Sequence, residues 1–297
     1  MDEVQLAPGT TVRDALIMMT HALAVTEGGA AASDARRLLM FAAGCTALDL
    51  IREPARVLTA PEAGTLSATL RRRARGEPVS RIIGRRGFYG REFLITPATL
   101  DPRPESETLI DAALDLARER WRDGGGLEIL DIGTGSGCLL LTLLAELPGA
   151  RGTGVDVSAQ ALAVAAANAE QLGLSRRATW VHGRNGAGLT SRFPLIISNP
   201  PYIPSAGIPN LARDVRDHDP AIALDGGADG LAIYRELASE VWRLAAPGWA
   251  LFEFGEGQAA EVIRILAAAA PPGITVDTKT YCDMADKQRC VAIGTQY

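Results

Sequence analysis

The sequence predicts an α/β protein: a seven-stranded, mostly parallel sheet covered by helices, preceded by a small α-helical bundle domain and a β-hairpin linker. Three observations carry that reading. From Glu105 onward, strand-like and helix-like segments alternate, the pattern of a parallel sheet whose crossovers are helices. Before about residue 82 the apolar residues recur at helical spacing, with no strong strand pattern. A glycine-rich run, Asp131 to Gly137, follows a short apolar strand and opens a helix, as ligand-binding loops in such sheets do.

The elements come in order. Leu16, Met19 and Leu23 mark a helix over 12–26, ended by Gly28-Gly29. Ser33 is the expected cap of a second helix carrying Leu38, Leu39 and Ala42, stopped by Gly44. Thr59 and Glu62 form a capping box around Pro61, opening a helix that runs to about Arg75 before Gly76 and Pro78. Phe88 to Ile95 reads as a hairpin turning at Gly90, and Pro102 and Pro104 punctuate the next segment. The expected organisation is a helical domain over 1–78, a hairpin linker over 79–103 and a catalytic domain over 104–297.

In that last part, Leu109, Ile110, Ala113, Leu116 and Ala117 share one helix face. Strands are expected over 127–130, 152–157, 179–182, 195–198 and 250–254, then near 274–278 and 289–293. Helices intervene over 139–147, from the Ser158 cap to Gly173, and over 231–244, and Pro247-Gly248 is read as the turn before the fifth strand.

Composition narrows the class. Of 297 residues, 47% are hydrophobic and 22% charged, ordinary for a globular protein with a real core. A net charge of −5 does not advertise the cations that tight nucleic-acid binding requires. The basic stretch Arg71, Arg72, Arg73, Arg75, Arg81, Arg85, Arg86 and Arg91 reads either as a solvated face or as contact with an acidic partner. Cys45, Cys138, Cys282 and Cys290 are scattered and the three histidines add no metal-like spacing, so no metal is expected. The chain starts Met1-Asp2-Glu3, with no apolar leader and no membrane-length apolar run. A cytoplasmic protein with reduced thiols is the expectation.

The glycine loop is the first candidate site. Gly133, Thr134, Gly135, Ser136 and Gly137 follow Asp131, and the next strand ends at Asp156. Glycines let the main chain turn tightly and a ligand approach it, and an acid at the second strand tip accepts from ribose hydroxyls. Glycine spacing alone leaves a dinucleotide enzyme open.

The second is Asn199-Pro200-Pro201-Tyr202, at the end of the fourth strand. Each proline disfavours the helical region for its predecessor, so the chain leaves the strand in a stiff extended turn. The Asn199 side-chain oxygen and the Pro200 carbonyl are acceptors. An amide or arylamine nitrogen is a poor nucleophile because its lone pair is delocalised. Two acceptors on its N–H groups draw it toward tetrahedral geometry and stabilise the positive charge that grows as it is alkylated. Tyr202 is expected to pack flat against the planar target. These residues suit methyl transfer to a planar nitrogen.

At these residues the chain resembles the class I S-adenosylmethionine-dependent methyltransferases, a Rossmann-like fold, over roughly Glu105 to the C-terminus. The Asn-Pro-Pro-Tyr turn is shared by enzymes acting on glutamine amides, adenine N6 and guanine N2. Further segments are similar to the release-factor glutamine methyltransferases (the PrmC/HemK family): Glu77-Pro78-Val79 with Ile82-Ile83-Gly84, Phe88-Tyr89-Gly90, Arg103-Pro104-Glu105-Ser106-Glu107, Asp219-Pro220 with Ala223-Leu224, Gly226 to Leu231, Glu253-Phe254-Gly255 with Gln258, and Asp286 with Arg289. With the helical N-terminus, this resemblance spans nearly the whole chain.

The resemblance implies methyl transfer from S-adenosylmethionine, leaving S-adenosylhomocysteine, to the side-chain amide nitrogen of the glutamine in the Gly-Gly-Gln motif of peptide-chain release factors. It implies that Gly133 to Gly137 contact the methionine part of the cofactor and Asp156 its ribose, that Asn199 and Pro200 hold the glutamine amide, and that the helical domain helps dock the protein substrate. Neither a membrane nor direct nucleic-acid binding is required. Arg184 or Asn185 takes the place of the pair that the family usually carries near the adenine, Asp101 stands where Ile is usual, and Trp249 where a second Gly is common. Three alternatives stand beside it: a ribosomal protein glutamine as substrate, adenine-N6 methylation of nucleic acid, which on duplex DNA needs base extrusion, and a binding module on a decayed fold.

Overall fold

The structure is a computed structural model that describes residues 6–27, 30–121 and 124–295. The Gly28-Gly29 break and the Met1-Asp2-Glu3 start lie outside the described residues. The chain divides into two compact units: residues up to 84 together with 213–218, and residues 85–212 together with 219–297.

The first unit is helical: α1 (Val12–Glu27), α2 (Ala31–Ala43), α3 (Ala47–Arg52), α4 (Ala60–Ala74) and α5 (Val79–Ile83). Met19 and Leu23 of α1, Leu38 and Leu39 of α2, and Leu66 of α4 are fully buried in one core. The apolar spacing along each helix produces that shared face. The Thr59–Glu62 capping box forms as expected, with Glu62 accepting from Thr59 N at 2.8 Å. Ser33 does not cap α2: the helix begins earlier, after Ala30, because two alanines, the strongest helix formers, extend it backward. Helix α3 escapes apolar-period reading because it is only 6 residues long, yet Thr46 and Asp49 close a capping box around its start. Much of the basic stretch is ion-paired: Arg72 with Glu77 and Arg73 with Asp34 here, Arg85 with Glu92 and Arg91 with Glu146 in the other unit.

The second unit opens with a hairpin, β1 (Arg85–Phe88) and β2 (Arg91–Leu94). Its turn needs positive φ at Tyr89 (47°) and Gly90 (71°), the pattern of a tight two-residue hairpin. The helices are α6 (Glu107–Arg120), α7 (Cys138–Glu146), α8 (Ala159–Gln171), α9 (Arg213–Arg216, which groups with the first unit), α10 (Ala232–Leu244) and α11 (Ala259–Ala268). The strands are β3 (Glu128–Ile132), β4 (Arg151–Asp156), β5 (Ala178–His182), β6 (Phe193–Ser198), β7 (Ala245–Glu253), β8 (Val276–Cys282) and β9 (Gln288–Thr295).

They form one seven-stranded sheet in the order β5-β4-β3-β6-β7-β9-β8, parallel from β5 to β7, with β9 antiparallel to both neighbours. Alternate residues face opposite layers. Ile129, Leu195 and Leu251 pack with α6, α7 and the hairpin's Phe88 and Phe93. Leu130, Ile196 and Phe252 pack with α10 and α11.

A strand boundary also differs from expectation. Pro247 and Gly248 lie inside β7, and no turn separates them from the strand. The pairing of β7 with β6 shifts between Phe193 and Leu195. Such an irregularity is where proline is tolerated in a sheet. Gly248 has no room for a side chain, since a Cβ would meet the Pro194 carbonyl oxygen at 1.9 Å.

The register places the site. β3 pairs with β4 on one side and β6 on the other, so the chain order reverses at β3. Ligands in open α/β sheets sit beyond the carboxyl ends of the strands at such a reversal. The glycine loop follows β3, Asp156 ends β4, and Asn199 follows β6.

Candidate active site

The glycine loop is held open from behind. Gly133, Gly135 and Gly137 have φ of 76°, 55° and 78°, values that a residue with a Cβ adopts only with strain. Gly133 N and Thr134 N both donate to Val155 O, at 2.9 and 3.0 Å. Gly135 N donates to Asp156 Oδ2 at 2.8 Å, and Ser158 N donates to Asp156 Oδ1 at 2.9 Å. The expected pair, glycine loop and β4 acid, is thus joined directly. The space a Cβ would take at Gly133 and Gly135 is open, so a ligand can reach the main chain there.

Two buried groups brace the loop, and the apolar pattern does not single them out. Thr134 Oγ1 donates to Asp131 Oδ2 at 2.6 Å. Asp131 is fully buried, and burial lifts its carboxyl to about 7, with Asp156 adding to the rise and the Thr134 hydroxyl opposing it. Asn168 on α8 donates to Ser136 O at 2.9 Å and to Leu94 O at 3.0 Å while accepting from Leu94 N at 2.7 Å, tying loop to hairpin. A buried amide with such partners fixes geometry because losing one leaves an unpaired polar group.

The turn after β6 is anchored at its root, where Ser198 Oγ donates to Ile132 O at 2.7 Å and joins the tips of β6 and β3. Asn199 Nδ2 donates to Ser106 Oγ at 3.2 Å, which leaves the amide oxygen as the end available to a ligand. Behind the turn, Gln258 Nε2 donates to Tyr202 O at 3.1 Å and Gln258 Oε1 accepts from Gly255 N at 2.9 Å. The Tyr202 hydroxyl donates to Glu253 Oε1 at 3.3 Å. Burial lifts the Glu253 carboxyl to about 7 and drives the Tyr202 phenol up as well.

One cavity runs along these elements. Its wall includes Gly133, Thr134, Gly135, Ser136, Asp156, Arg184, Asn199, Pro200 and Pro201. Most of the residues expected from sequence therefore share one space. Tyr202 and Gly137 are not on that wall: Gly137 is backed by Ala165 and Trp180, and Tyr202 reaches toward Glu253. Arg184 lines the cavity, but its guanidinium forms a fork with Glu236 at 2.7–2.9 Å, and Asn185 Nδ2 donates to the same carboxylate at 3.0 Å. Its charge is thereby occupied at the cavity edge.

Sequence reasoning missed part of the lining. Leu100, Pro102, Arg103 and Ser106 line it from one segment, Pro220, Ile222 and Ala223 from another. Arg103 pairs with buried Asp219, and Asp101 N donates to the same carboxylate at 3.3 Å, so one carboxylate clamps both segments. The signal lay in Arg103-Pro104 and Asp219-Pro220, two motifs far apart in sequence.

His182 Nε2 is paired with Val157 O at 2.9 Å. Among the described residues no cluster of His, Cys, Asp or Glu could hold a metal, and no helix is long and apolar enough to cross a membrane. All four cysteines are free thiols.

Comparison with known proteins places the chain in a family. Residues 14–84 match the family model of the PrmC N-terminal domain, and residues 106–213 match that of the methyltransferase small domain. The chain is 47% identical over 260 residues to the release factor glutamine methyltransferase of Bradyrhizobium diazoefficiens, covering 87% of this chain and 86% of the relative. It is 44% identical over 261 residues to the release factor glutamine methyltransferase of Caulobacter vibrioides, with 87% of each chain covered. Among solved structures, the hMettl16 catalytic domain in complex with the MAT2A 3'UTR hairpin 6 superimposes with a TM-score of 0.53 at 20% identity, over 82% of this chain and 85% of that one. At that identity the likeness is one of fold.

Proposed function

Because the chain belongs to the release factor glutamine methyltransferase family, we propose that it methylates the side-chain amide nitrogen of the Gly-Gly-Gln glutamine of peptide-chain release factors. S-adenosylmethionine supplies the activated methyl group and is released as S-adenosylhomocysteine. The observation that carries the reading is the Asn199 amide. Its NH2 donates to Ser106, so its oxygen is the end left for a ligand in a cavity that the glycine loop and Asp156 also line.

In this reading Gly133, Thr134, Gly135 and Ser136 receive the methionine part of the cofactor, with Gly137 turning the chain into α7. Asp156 accepts from the ribose hydroxyls, and the Arg184 stem borders the adenine. Asn199 Oδ1 and Pro200 O accept the two N–H groups of the substrate amide. That pairing localises the nitrogen lone pair and stabilises the charge that develops there. Pro201 stiffens the turn. Tyr202 acts through its backbone and hydroxyl contacts, as the support that keeps Asn199 and Pro200 in place. Apolar lining at Leu100 and Pro102 limits water near these dipoles and keeps them effective. No residue in this scheme calls for a metal.

The helical N-terminal region, 1–78, is proposed as the docking domain for the protein substrate, with 79–103 as the linker that follows it. Its exposed apolar side chains Ile17, Phe41, Leu48, Ile51 and Val57 are available for such contact. An enzyme with a release factor as substrate works in the cytoplasm, where translation terminates.

The test offers three acceptors in parallel: a release factor, unmethylated ribosomal proteins and undermodified DNA. Tandem mass spectrometry should find one methyl group on the Gly-Gly-Gln glutamine of the factor. Transfer to DNA or to a ribosomal protein with none to the factor would sink the reading.

A further inference from the structure

The cavity follows the order of the strand tips. Asn199 follows β6, the glycine loop follows β3, Asp156 ends β4, and residues 183–185 follow β5. These four strands are neighbours in the sheet. A ligand whose reacting end meets Asn199 and whose ribose meets Asp156 therefore runs on toward the tip of β5. There the lining is made by Val157, Arg184 and Asn185, with Ile233 and Leu237 of α10. Gly183 N donates to Asp156 O at 3.0 Å, which sets this loop directly beside the β4 acid. Apolar side chains with a few polar groups at one edge suit a flat heterocycle.

Glu236, on α10 between Ile233 and Leu237, organises the polar edge. Its carboxylate takes a fork from Arg184, Nε to Oε2 at 2.9 Å and Nη2 to Oε1 at 2.9 Å, and accepts from Asn185 Nδ2 at 3.0 Å. Asn185 stands at φ 54°, a left-handed conformation that asparagine tolerates better than most residues. Arg243, near the other end of α10, holds the carbonyls that follow, Gly186 O at 3.1 Å and Leu189 O at 2.6 Å. An ion pair as exposed as Arg184–Glu236 adds little to stability. What it fixes is direction. A carboxylate accepts and cannot donate, so Asn185 must turn its NH2 toward Glu236, and its Oδ1 is left as an acceptor. The two-pronged contact from Arg184 holds that carboxylate in place from its other side.

We propose that Asn185 is a specificity-determining residue for the base of the cofactor and that Glu236 is its positioning residue: the Asn185 Oδ1 accepts from the exocyclic amino group of adenine. The proposal rests on the S-adenosylmethionine reading above. It implies that a base with an oxygen in place of that amino group is rejected. Two acceptors would then face each other, and the amide cannot turn over while the carboxylate holds its NH2.

Calorimetry on the full chain tests this with S-adenosylhomocysteine and its hypoxanthine analogue, which carries a carbonyl oxygen where adenine carries the amino group. The wild type should favour the adenine form by about tenfold or more. N185G removes the amide without straining the left-handed backbone, and it should bind the two forms within about threefold of each other. E236Q can present an NH2 to Asn185, which lets the amide turn over, and it should narrow the preference likewise or reverse it. Thermal melts check that each variant is folded, and either variant is sufficient alone. An equal loss of affinity for both forms, with the wild-type ratio kept in N185G and E236Q, would show a merely structural edge and overturn the proposal. A wild type that binds S-adenosylhomocysteine without preference would overturn it too, leaving the cofactor reading intact. Binding of neither form would overturn both together.

Discussion

At the scale of single residues, the proposed function assigns binding and chemistry to different side chains, and substitution tests that division. Asp156 accepts from Gly135 N and Ser158 N, so it shapes the loop as well as facing the cavity. D156A should weaken cofactor binding by about ten- to a hundredfold in a calorimeter, roughly 1.4 to 3 kcal/mol, while the chain stays folded. Asn199 makes no comparable structural contribution. N199A should leave cofactor affinity within about threefold and lower kcat by roughly a hundred- to a thousandfold, the usual loss for one preorganised dipole. A fall in cofactor affinity without a fall in kcat would reverse the two assignments. Both residues were legible in the sequence because each stands at a strand end inside a short motif. Asn168 was not picked out as a brace of the loop, because a buried polar residue shows its partners only after the chain folds.

The elements tell where chemistry and packing share a constraint. Gly230 has φ of 76°, and a Cβ there would meet Tyr202 O at 2.3 Å and Gln258 Nε2 at 2.7 Å. G230A should therefore displace the Asn199–Tyr202 turn, cutting kcat by about tenfold or more and costing roughly 1–3 kcal/mol of stability. Denaturant melts and steady-state kinetics check the two effects, and a variant with wild-type kcat would show that the turn does not depend on this support. Strand existence and order were readable from apolar runs and turn residues, whereas ends were less so. Pro247-Gly248 reads locally as a turn, yet tertiary pairing draws it into β7 beside the irregularity at Pro194. Helix α11 was missed, although Val262, Ile265 and Leu266 bury one face of it. Helix α2 begins before Ser33 because alanine there extends the helix backward.

For the whole molecule, Asp131 and Glu253 link folding to pH. Each carboxyl titrates at about 7 in the folded chain, against ordinary values of 3.8 and 4.5. Between about pH 4 and 7 the folded state holds protons that the unfolded state has released. Stability is then greater on the acid side and falls as pH rises through that window, because its slope is set by the protons bound by the unfolded state minus those bound by the folded state. The D131N/E253Q variant should show a flatter dependence in urea melts at pH 5 and 8, and an unchanged slope would mean that other groups set it. The fold class was legible because alternating elements, a glycine loop and a helical N-terminus each constrain topology independently. Part of the cavity's lining was not, since the segments around Arg103 and Asp219 meet only in the folded chain. The central claim, methylation of a release-factor glutamine at this site, is tested most directly by transfer of labelled methyl from S-adenosylmethionine to a release factor and to the same factor with its motif glutamine changed to alanine. The predicted result is label on the intact factor, none on the alanine variant, and loss of the first with N199A. Equal labelling of both factors, or of neither, would contradict it.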